Sequence, residues 1–480
     1  MSLKLKAVAG AKWTTLSMMV VTIAQLSQLA ILARLLSPKV FGSMAIMMVV
    51  IGFAQAFMDM GISNAIIHRQ KISHSQLSSL YWLNIASGGI LAGLMLLLSP
   101  FIASFYDEPS IQKPLMLLSS VFLVIAIGNQ FKILCQKEMQ FDRIAKVDMT
   151  AAISALAVAV WAAMQGYGVY ALVLAMLMQA GASSFLYLMV GLKTLHTPSF
   201  MFKHSELSAF YRFGFFQMGE RSINYVSAHI DKLIIGKLLG MQAVGFYNMA
   251  WQLIIFPLAK INPVIVSVAF PVYAKVQSDS NSLNRYYGLT VRVLSLVSVP
   301  LLAFLSFFSQ DVVLLVFGDG WQVAADLIAI LALVGILKAL GNPGGAILLA
   351  QGYANIGFWW NIFWAIAVIV GVYAALVIRP DVMTVPWVLL GLSLTIGWIW
   401  HYLIAKVAKI SYRAILGHFA KVIIFSFIIT WLASLVVSLM TIGHVFFRLL
   451  AAGGICLALY IPYLFYFEKE VIHQCRKGQK

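Results

Sequence analysis

The sequence has very few charged residues. Only 10% of its 480 residues are Asp, Glu, Lys or Arg, whereas 62% are hydrophobic; a soluble domain carries about 25% charged residues. A soluble core cannot bury that much apolar surface, so a water-soluble fold is excluded. The apolar residues form runs of about 18 to 25, long enough for a helix to cross a hydrocarbon layer of about 30 Å. The scarcity of charge therefore predicts an all-α integral membrane protein.

Cysteines and long polar loops are also scarce. The three cysteines, Cys135, Cys456 and Cys475, have no paired spacing, so no disulfide framework is predicted. The loops between the apolar runs are too short to hold a separate soluble domain. A membrane-embedded polymerase or ligase would need a sizeable outer loop for its catalytic groups. A transporter is therefore favoured over an enzyme.

Sequence motifs for nucleotides and metals are absent. There is no G-x-x-x-x-G-K-[ST] motif and no G-x-G-x-x-G between a strand and a helix, so ATP is not the direct energy source. The nine histidines show no H-E-x-x-H pattern and no paired spacing with cysteine. We therefore expect no metal and no other cofactor.

The apolar runs predict about 14 membrane spans. They lie at residues 11–34, 41–61, 77–104, 114–134, 147–165, 169–192, 214–238, 243–265, 289–308, 325–350, 357–378, 386–405, 421–440 and 447–467. The chain carries 33 Lys and Arg against 16 Asp and Glu. With the N-terminus inside, most of the basic residues fall in or beside cytoplasmic segments, as the positive-inside rule requires. We expect both termini in the cytoplasm, and we attribute the positive charge to topology rather than to nucleic-acid binding.

A short repeat indicates that the chain consists of two similar halves. The sequence RLL at 34–36 with FG at 41–42 matches KLL at 237–239 with VG at 244–245, at a constant offset of 203. Each copy lies at the hairpin between an odd span and the next, and six spans separate the copies. The halves should therefore be two pseudo-symmetric six-helix bundles, related by an axis along the membrane normal. The predicted parts are an N-terminal lobe at 1–200, a C-terminal lobe at 201–410, and two further helices with a cytoplasmic tail at 411–480.

Ionisable residues inside the predicted seventh span are the main functional signal. At about 100° per residue, one helix face carries six polar residues: Glu220, Arg221, Asn224, Ser227, Asp231 and Lys232. Such residues are costly in a membrane and usually face a cavity or a partner. In one hypothesis, Arg221 and Lys232 bind phosphate in a water-filled cavity, and Glu220 and Asp231 couple transport to a cation. In the other, the opposite charges merely neutralise one another so that the helix can insert.

Other polar residues extend the candidate cavity. Lys338 lies near the middle of the tenth span, where it needs a counter-ion or an aqueous cavity, so it is a third candidate cation for substrate binding. The remaining candidate polar residues are Gln25, Gln28, Asn224, Asn248 and Gln252. Pro257 and Pro263 are predicted to interrupt the eighth span, and GNPGG at 341–345 to interrupt the tenth, as gates or as ordinary kinks. Tryptophans such as Trp360 and Trp400 are interpreted as interfacial anchors rather than sugar platforms.

Seven short motifs follow one another along nearly the whole chain. They are ARLLSP at 33–38 with FG at 41–42, LYWLN at 80–84, QKEM at 136–139, GFYN at 245–248, KINP at 260–263, FPVYAKVQ at 270–277 and GNPG at 341–344. Each motif alone is weak, but in this order they resemble the polysaccharide exporters of the colanic acid exporter type. Those exporters belong to the multidrug/oligosaccharidyl-lipid/polysaccharide exporter superfamily.

The resemblance implies a transporter without enzymatic activity. It implies two six-helix lobes around a central cavity, two extra C-terminal helices, and alternating access driven by a proton or sodium gradient. The implied substrate is an undecaprenyl-diphosphate-linked oligosaccharide repeat unit, flipped across the bacterial inner membrane for synthesis of exopolysaccharide, capsule or O-antigen. Membrane lipids and the polysaccharide polymerase complex are the other expected partners.

Two alternatives stay open at this point. A multidrug exporter of the same superfamily should depend on one or a few acids in a hydrophobic pocket, whereas a diphosphate carrier should need cavity Arg or Lys. The other alternative is a membrane-embedded polysaccharide polymerase or ligase.

Overall fold

A computed structural model describes residues 3–58, 66, 72–203, 208–440 and 442–467. Almost all of these residues are helical. In chain order the helices are α1 (Leu3–Leu35), α2 (Pro38–Met58), α3 (His74–Phe105), α4 (Gln112–Ser119), α5 (Val121–Lys137), α6 (Phe141–Met164), α7 (Val169–Thr194), α8 (Ser208–Lys275), α9 (Ser280–Phe307), α10 (Ser309–Val316), α11 (Gln322–Ala350), α12 (Ala354–Ile378), α13 (Thr384–Thr395), α14 (Gly397–Ala408), α15 (Tyr412–Leu439) and α16 (Val445–Phe467).

The predicted all-α membrane fold is confirmed. Within the described ranges, twelve helices are long and apolar enough to cross a membrane, and a bent pair in α8 brings the number to as many as thirteen. The predicted seventh and eighth spans both fall within α8, which accounts for the difference from about 14. The chain is therefore a multi-pass membrane protein.

Internal contacts divide the chain into two compact units, Met1–Gly245 and Phe246–Lys480. In the first unit, α6 packs against α1 and α7, and α5 packs against α3 and α7. In the second unit, α11 packs against α9, α13 and α14, and α15 packs against α9 and α16. The central position of α11 agrees with its sequence, in which apolar residues surround the helix on all sides. The predicted division at 200 and 410 stays a prediction.

The predicted helix breaks have different outcomes. Helix α8 has non-helical dihedral angles at Gly240 (φ 82°, ψ 178°), between the two predicted spans, and it bends by 40° after Pro263. Helix α11, in contrast, continues through Pro343, so the prediction that this segment interrupts the tenth span was wrong. The neighbouring glycines serve packing instead, because a Cβ on Gly344 would lie only 2.9 Å from the Trp400 Nε1 of α14.

The two copies of the repeated hairpin meet at their glycines. A Cβ on Gly42 would overlap the carbonyl oxygen of Met241 and lie 2.8 Å from the nitrogen of Gly245. A Cβ on Gly245 would overlap the carbonyl oxygen of Pro38 and lie 3.2 Å from the nitrogen of Gly42. Since Met241 and Gly245 follow Pro38 and Gly42 at the repeat offset of 203, each copy touches the equivalent residues of the other. Reciprocal contact of this kind is what a two-fold relation between the hairpins requires.

Two ion pairs connect these hairpins to the turn after α3. The Nζ of Lys39 lies 2.8 Å from Oε2 of Glu108, and the Nζ of Lys237 lies 2.7 Å from Oδ2 of Asp107. Burial raises the pKa of Glu108, but hydrogen bonds from Lys39 and Ser110 and the charge of Lys39 outweigh burial and lower that pKa overall. One acidic turn thus supplies a carboxylate to each copy of the repeat.

Replacing Gly42 or Gly245 by alanine should destabilise the protein, because the new methyl group would overlap backbone atoms that cannot rotate away. Overpacking of this kind typically costs about 1 to 3 kcal/mol. Thermal unfolding in detergent measures the effect. Gly181→Ala in α7 is the control, since a Cβ there meets no atom within 4 Å. If all three variants melted at the wild-type temperature, the close contact between the hairpins would be refuted.

Candidate functional site

The charged face predicted on the seventh span lies in the first part of α8. Arg221 is exposed, whereas Asn224, Asp231 and Lys232 are partly buried. The side chain of Glu220 lies outside the described ones. The carboxylate of Asp231 accepts a hydrogen bond of 2.8 Å from the backbone N–H of Lys232. This bond joins the side chain of Asp231 to the backbone of the next residue.

A neighbouring face of α8 packs against α2. The hydroxyl of Tyr225 donates a hydrogen bond of 3.0 Å to the carbonyl oxygen of Met48, and a Cβ on Gly52 would collide with the Tyr225 ring. His229 packs edge to face on Tyr225, with 4.5 Å between ring centroids. Tyr225 and His229 lie about 40° and 80° around the helix from Arg221. The predicted charged face thus borders the packed face and does not form it.

The other predicted polar residues differ in their surroundings. Gln25 of α1 is exposed, and Gln28 is partly buried. In the second unit, Asn248 is only 7% exposed, whereas Gln252, one turn later, is exposed. The burial of Asn248 favours a structural role for this side chain, and a cavity role for Gln25 and Gln252 stays a prediction.

Lys338 faces a cavity of about 410 Å³ in the second unit. Its Nζ lies 4.6 Å from the centre of the Trp251 ring, which places the ammonium group on an aromatic face. Helices α11, α12, α13 and α14 supply the lining. Its polar and ionisable members are Lys338, Asn342, Asn361, Ser393 and His401. We call this space the tryptophan cavity, after the rings that form its aromatic wall, namely those of Trp360, Trp364, Trp398 and Trp400.

The aromatic wall of the tryptophan cavity is built by stacking. The ring of Trp360 stacks on Trp364 and on Trp400, with centroids 6.1 and 5.3 Å apart and an interplanar angle of 29° in both pairs. The Nε1 of Trp400 donates a hydrogen bond of 3.0 Å to the carbonyl oxygen of Gly341. The sequence reading of these residues as interfacial anchors did not foresee the cavity. The spacing of four between Trp360 and Trp364 could have suggested it, because it places both rings on one helix face.

Lys132, another intramembrane cation, has a partner that sequence reasoning missed. Its Nζ lies 3.7 Å from Oδ1 of Asp148, and the hydroxyl of Tyr187 donates a hydrogen bond of 3.0 Å to the same oxygen. Lys132 also lies over the Tyr187 ring, 5.7 Å from its centroid. These contacts give Lys132 a structural role in the packing of α5, α6 and α7.

Known proteins match most of the chain. The family described as "Polysaccharide biosynthesis protein" matches residues 31–326. The teichuronic acid biosynthesis protein TuaB of Bacillus subtilis (strain 168) is 34% identical over 406 residues, which cover 85% of this chain and 84% of TuaB. The lipopolysaccharide biosynthesis protein WzxC of Escherichia coli (strain K12) is 32% identical over 363 residues, which cover 76% of this chain and 74% of WzxC.

Solved structures share the fold at low sequence identity. The lipid II flippase MurJ, in an inward closed conformation, aligns with a TM-score of 0.76 and 13% identity, over 97% of this chain and 100% of that one. An inward-facing multidrug resistance transporter of the MATE family aligns with a TM-score of 0.62 and 16% identity, over 83% and 99%. The resemblance to proteins of polysaccharide synthesis such as WzxC is thereby confirmed, the solved structures show the shared fold, and the chain belongs to the polysaccharide biosynthesis protein family.

Proposed function

We propose that the protein flips an undecaprenyl-diphosphate-linked oligosaccharide repeat unit across the bacterial inner membrane for surface polysaccharide synthesis, without enzymatic activity. The observation that carries this proposal is membership of the polysaccharide biosynthesis protein family by a chain whose fold aligns with the flippase MurJ over 97% of its length. The relatives TuaB and WzxC bear names of teichuronic acid and lipopolysaccharide biosynthesis. A common step in making such polymers is moving a lipid-linked unit through the membrane.

The head group of this substrate explains why cations would be needed inside the membrane. A diphosphate carries about two negative charges, and removing them from water costs many kcal/mol. Arg221 and Lys232 of α8 and Lys338 of the tryptophan cavity would offset that cost in aqueous cavities. Arginine is the better phosphate ligand of the two residue types, because its planar guanidinium donates two parallel hydrogen bonds.

Alternating access driven by a proton or sodium gradient completes the proposal. The sequence holds no nucleotide motif, and Glu220 and Asp231 lie in the same stretch of α8 as the cations. A carboxylate inside a membrane is costly unless it binds a cation or a proton. Substrate would bind at the cations while the coupling ion leaves the neighbouring carboxylates, and this exchange would link transport of the substrate to transport of the ion.

Arg221→Ala or Lys232→Ala should abolish export while the protein still inserts, and Arg221→Lys should be partly active because bidentate phosphate contacts are lost. Complementation of a deletion strain measures export, and blotting of membranes measures abundance. The control is Arg379→Ala, since Arg379 is 77% exposed and pairs only loosely, at 3.7 Å, with Asp381. Full export by the Arg221→Ala, Lys232→Ala double variant at normal abundance would show that the charged face is structural.

Glu220→Gln and Asp231→Asn should remove the dependence of transport on pH or sodium, because the amides keep the side-chain volume but lose the charge. Asp319→Asn, in the turn after α10, is the control. Normal transport by both variants across pH and sodium concentration would show that these acids are not the coupling groups. If the acids were required and both cations dispensable, the multidrug exporter would become the better proposal.

Filling the tryptophan cavity should impair export. A Cβ on Gly357 meets no atom within 4 Å, and Gly357 lines the cavity, so the side chain of Gly357→Leu can occupy it without backbone strain. Gly453→Leu in α16 is the matched control, since a Cβ there also meets nothing within 4 Å. Export by Gly357→Leu equal to that of the control would remove this cavity from the transport path.

Both termini are proposed to be cytoplasmic, on the basis of the charge distribution. Reporter fusions at Lys203 and Lys409 should then be active inside the cell. Fusions at Glu108, Asp319 and Asp381 should be active outside. A reporter at Lys203 or Lys409 that is active outside the cell would show that the proposed orientation is wrong.

A further inference from the structure

A second cavity of the second unit, of about 480 Å³, lies between the first turns of α9 and those of α15. Its lining from α9 includes Asn284, Arg285, Gly288, Arg292 and Ser295, and its lining from α15 and the residue before it includes Ser411, Ile415, His418 and Phe419. We call it the basic pocket. It is separate from the charged face of α8, and no residue named in the transport proposal lines it.

The two arginines of the basic pocket share one face of α9. They are seven residues apart, which on a helix is about two turns and about 10 Å along the axis. Between them stands Gly288, where an added Cβ would meet only Ile415, at 3.8 Å. The cavity is therefore open beside Gly288, because this residue has no side chain to fill it.

The charge of the pocket has one sign. Neither α9 nor α15 contains an aspartate or glutamate. His418 of α15 is subject to the positive charges of Arg292 on α9 and of Lys421 on its own helix. The acid that precedes α9, Asp279, caps that helix by accepting a hydrogen bond from the backbone N–H of Asn281. The chemistry of this lining selects an anion, and two arginines favour a phosphate.

Hydrogen bonds hold the two walls of the pocket together. The backbone N–H of Ser411 donates to Oδ1 of Asn284 at 2.9 Å. The hydroxyls of Tyr287 and Tyr412 are 2.8 Å apart, and Nδ1 of His401 lies 3.3 Å from the Tyr412 hydroxyl. A pocket fixed in this way exists before its ligand arrives, so binding loses less conformational entropy.

The lining of the pocket combines cationic and apolar side chains. Arg285 at the start of α9 is exposed, while Val291, Ile415 and Phe419 are buried. Both helices begin here and continue as membrane spans, Ser280–Phe307 and Ile415–Leu439. A ligand that fits such a lining, at the start of two membrane spans, has an anionic head and an apolar chain.

We propose that the basic pocket binds the phosphate group of a membrane lipid, with Arg285 and Arg292 as the donors and the start of the lipid chain against Ile415 and Phe419. The placement at the cytoplasmic surface rests on the proposed orientation of the chain. Two lipids share this chemistry, an anionic phospholipid of the bilayer and the polyprenyl diphosphate of the transported unit. Basic residues that merely set topology would need neither a cavity nor a glycine between them.

Binding of defined lipids to the purified full-length protein in detergent tests the proposal. The probes are dioleoylphosphatidylglycerol, geranylgeranyl diphosphate and, without phosphate, geranylgeraniol. The Arg285→Gln, Arg292→Gln double variant should weaken binding of a phosphate-bearing probe by at least about tenfold, since charge-assisted bonds are lost. Gly288→Leu should weaken it by blocking the open space.

Two matched controls accompany these variants. Arg413→Gln makes the same kind of substitution, with loss of one positive charge, at an exposed residue of α15, and Gly417→Leu adds the same side chain where a Cβ meets no atom within 4 Å. Both should bind like the wild type. If a charge variant elutes as an aggregate, the comparison uses Gly288→Leu and its control Gly417→Leu. If a volume variant aggregates, the comparison uses the double arginine variant and its control Arg413→Gln.

The outcome also identifies the lipid. Preference for geranylgeranyl diphosphate would assign the pocket to the transported unit, and preference for phosphatidylglycerol would assign it to a bilayer lipid. Equal binding of geranylgeraniol, no binding of either phosphate probe, or wild-type binding by both pocket variants would overturn the proposal. Because the assay needs no transport, failure of the proposed flippase activity would leave this result unchanged.

Discussion

The cost of placing charge in hydrocarbon governs this structure. Only 10% of the residues are charged, and an ionisable group within a span needs surroundings that offset the loss of water. The described residues show several such surroundings. Lys132 has a carboxylate, Asp148, within 3.7 Å. Lys338 lies against an indole ring and a cavity. The arginines of the basic pocket line an open cavity, Arg285 near the start of α9 and Arg292 about two turns further along it. These different solutions separate charges that stabilise packing from charges that can act on a ligand.

Close packing at small residues holds the helices where hydrophobic burial cannot. Lipid chains are as apolar as leucine, so helices in a bilayer gain little from hiding apolar side chains and much from fitting their backbones together. Gly42 and Gly245 allow two helices to touch through backbone atoms, and Gly344 admits the indole of Trp400. The same lack of a side chain has the opposite result at Gly288 and Gly357, where it leaves open space. Each of these five glycines thus either permits a close contact or leaves space for a cavity.

Much of the fold was predictable because its signals are local. Span lengths, the charge bias of loops and the repeat at offset 203 are each read from consecutive residues. The contacts that define the cavities are not local: Asn284 meets Ser411, and Gly341 meets Trp400, across more than fifty positions of sequence. For the same reason Pro343 was misread, since the packing partners of its helix lie elsewhere in the chain. The charged face of α8 stays a prediction, because periodicity identifies a face without showing what it meets.

The reciprocal contact at Gly42 and Gly245 has an entropic consequence. An interface made of backbone atoms has no rotamers, so closing it orders no side chain and opening it releases none. The free energy of this contact depends on the fit of the backbone atoms, which changes steeply over a few tenths of an ångström. It also depends on the two lysine–carboxylate pairs beside the contact. Those pairs are partly exposed and are screened by salt. The contact between the hairpins therefore depends mainly on the fit of backbone atoms, with a small electrostatic contribution from the two ion pairs.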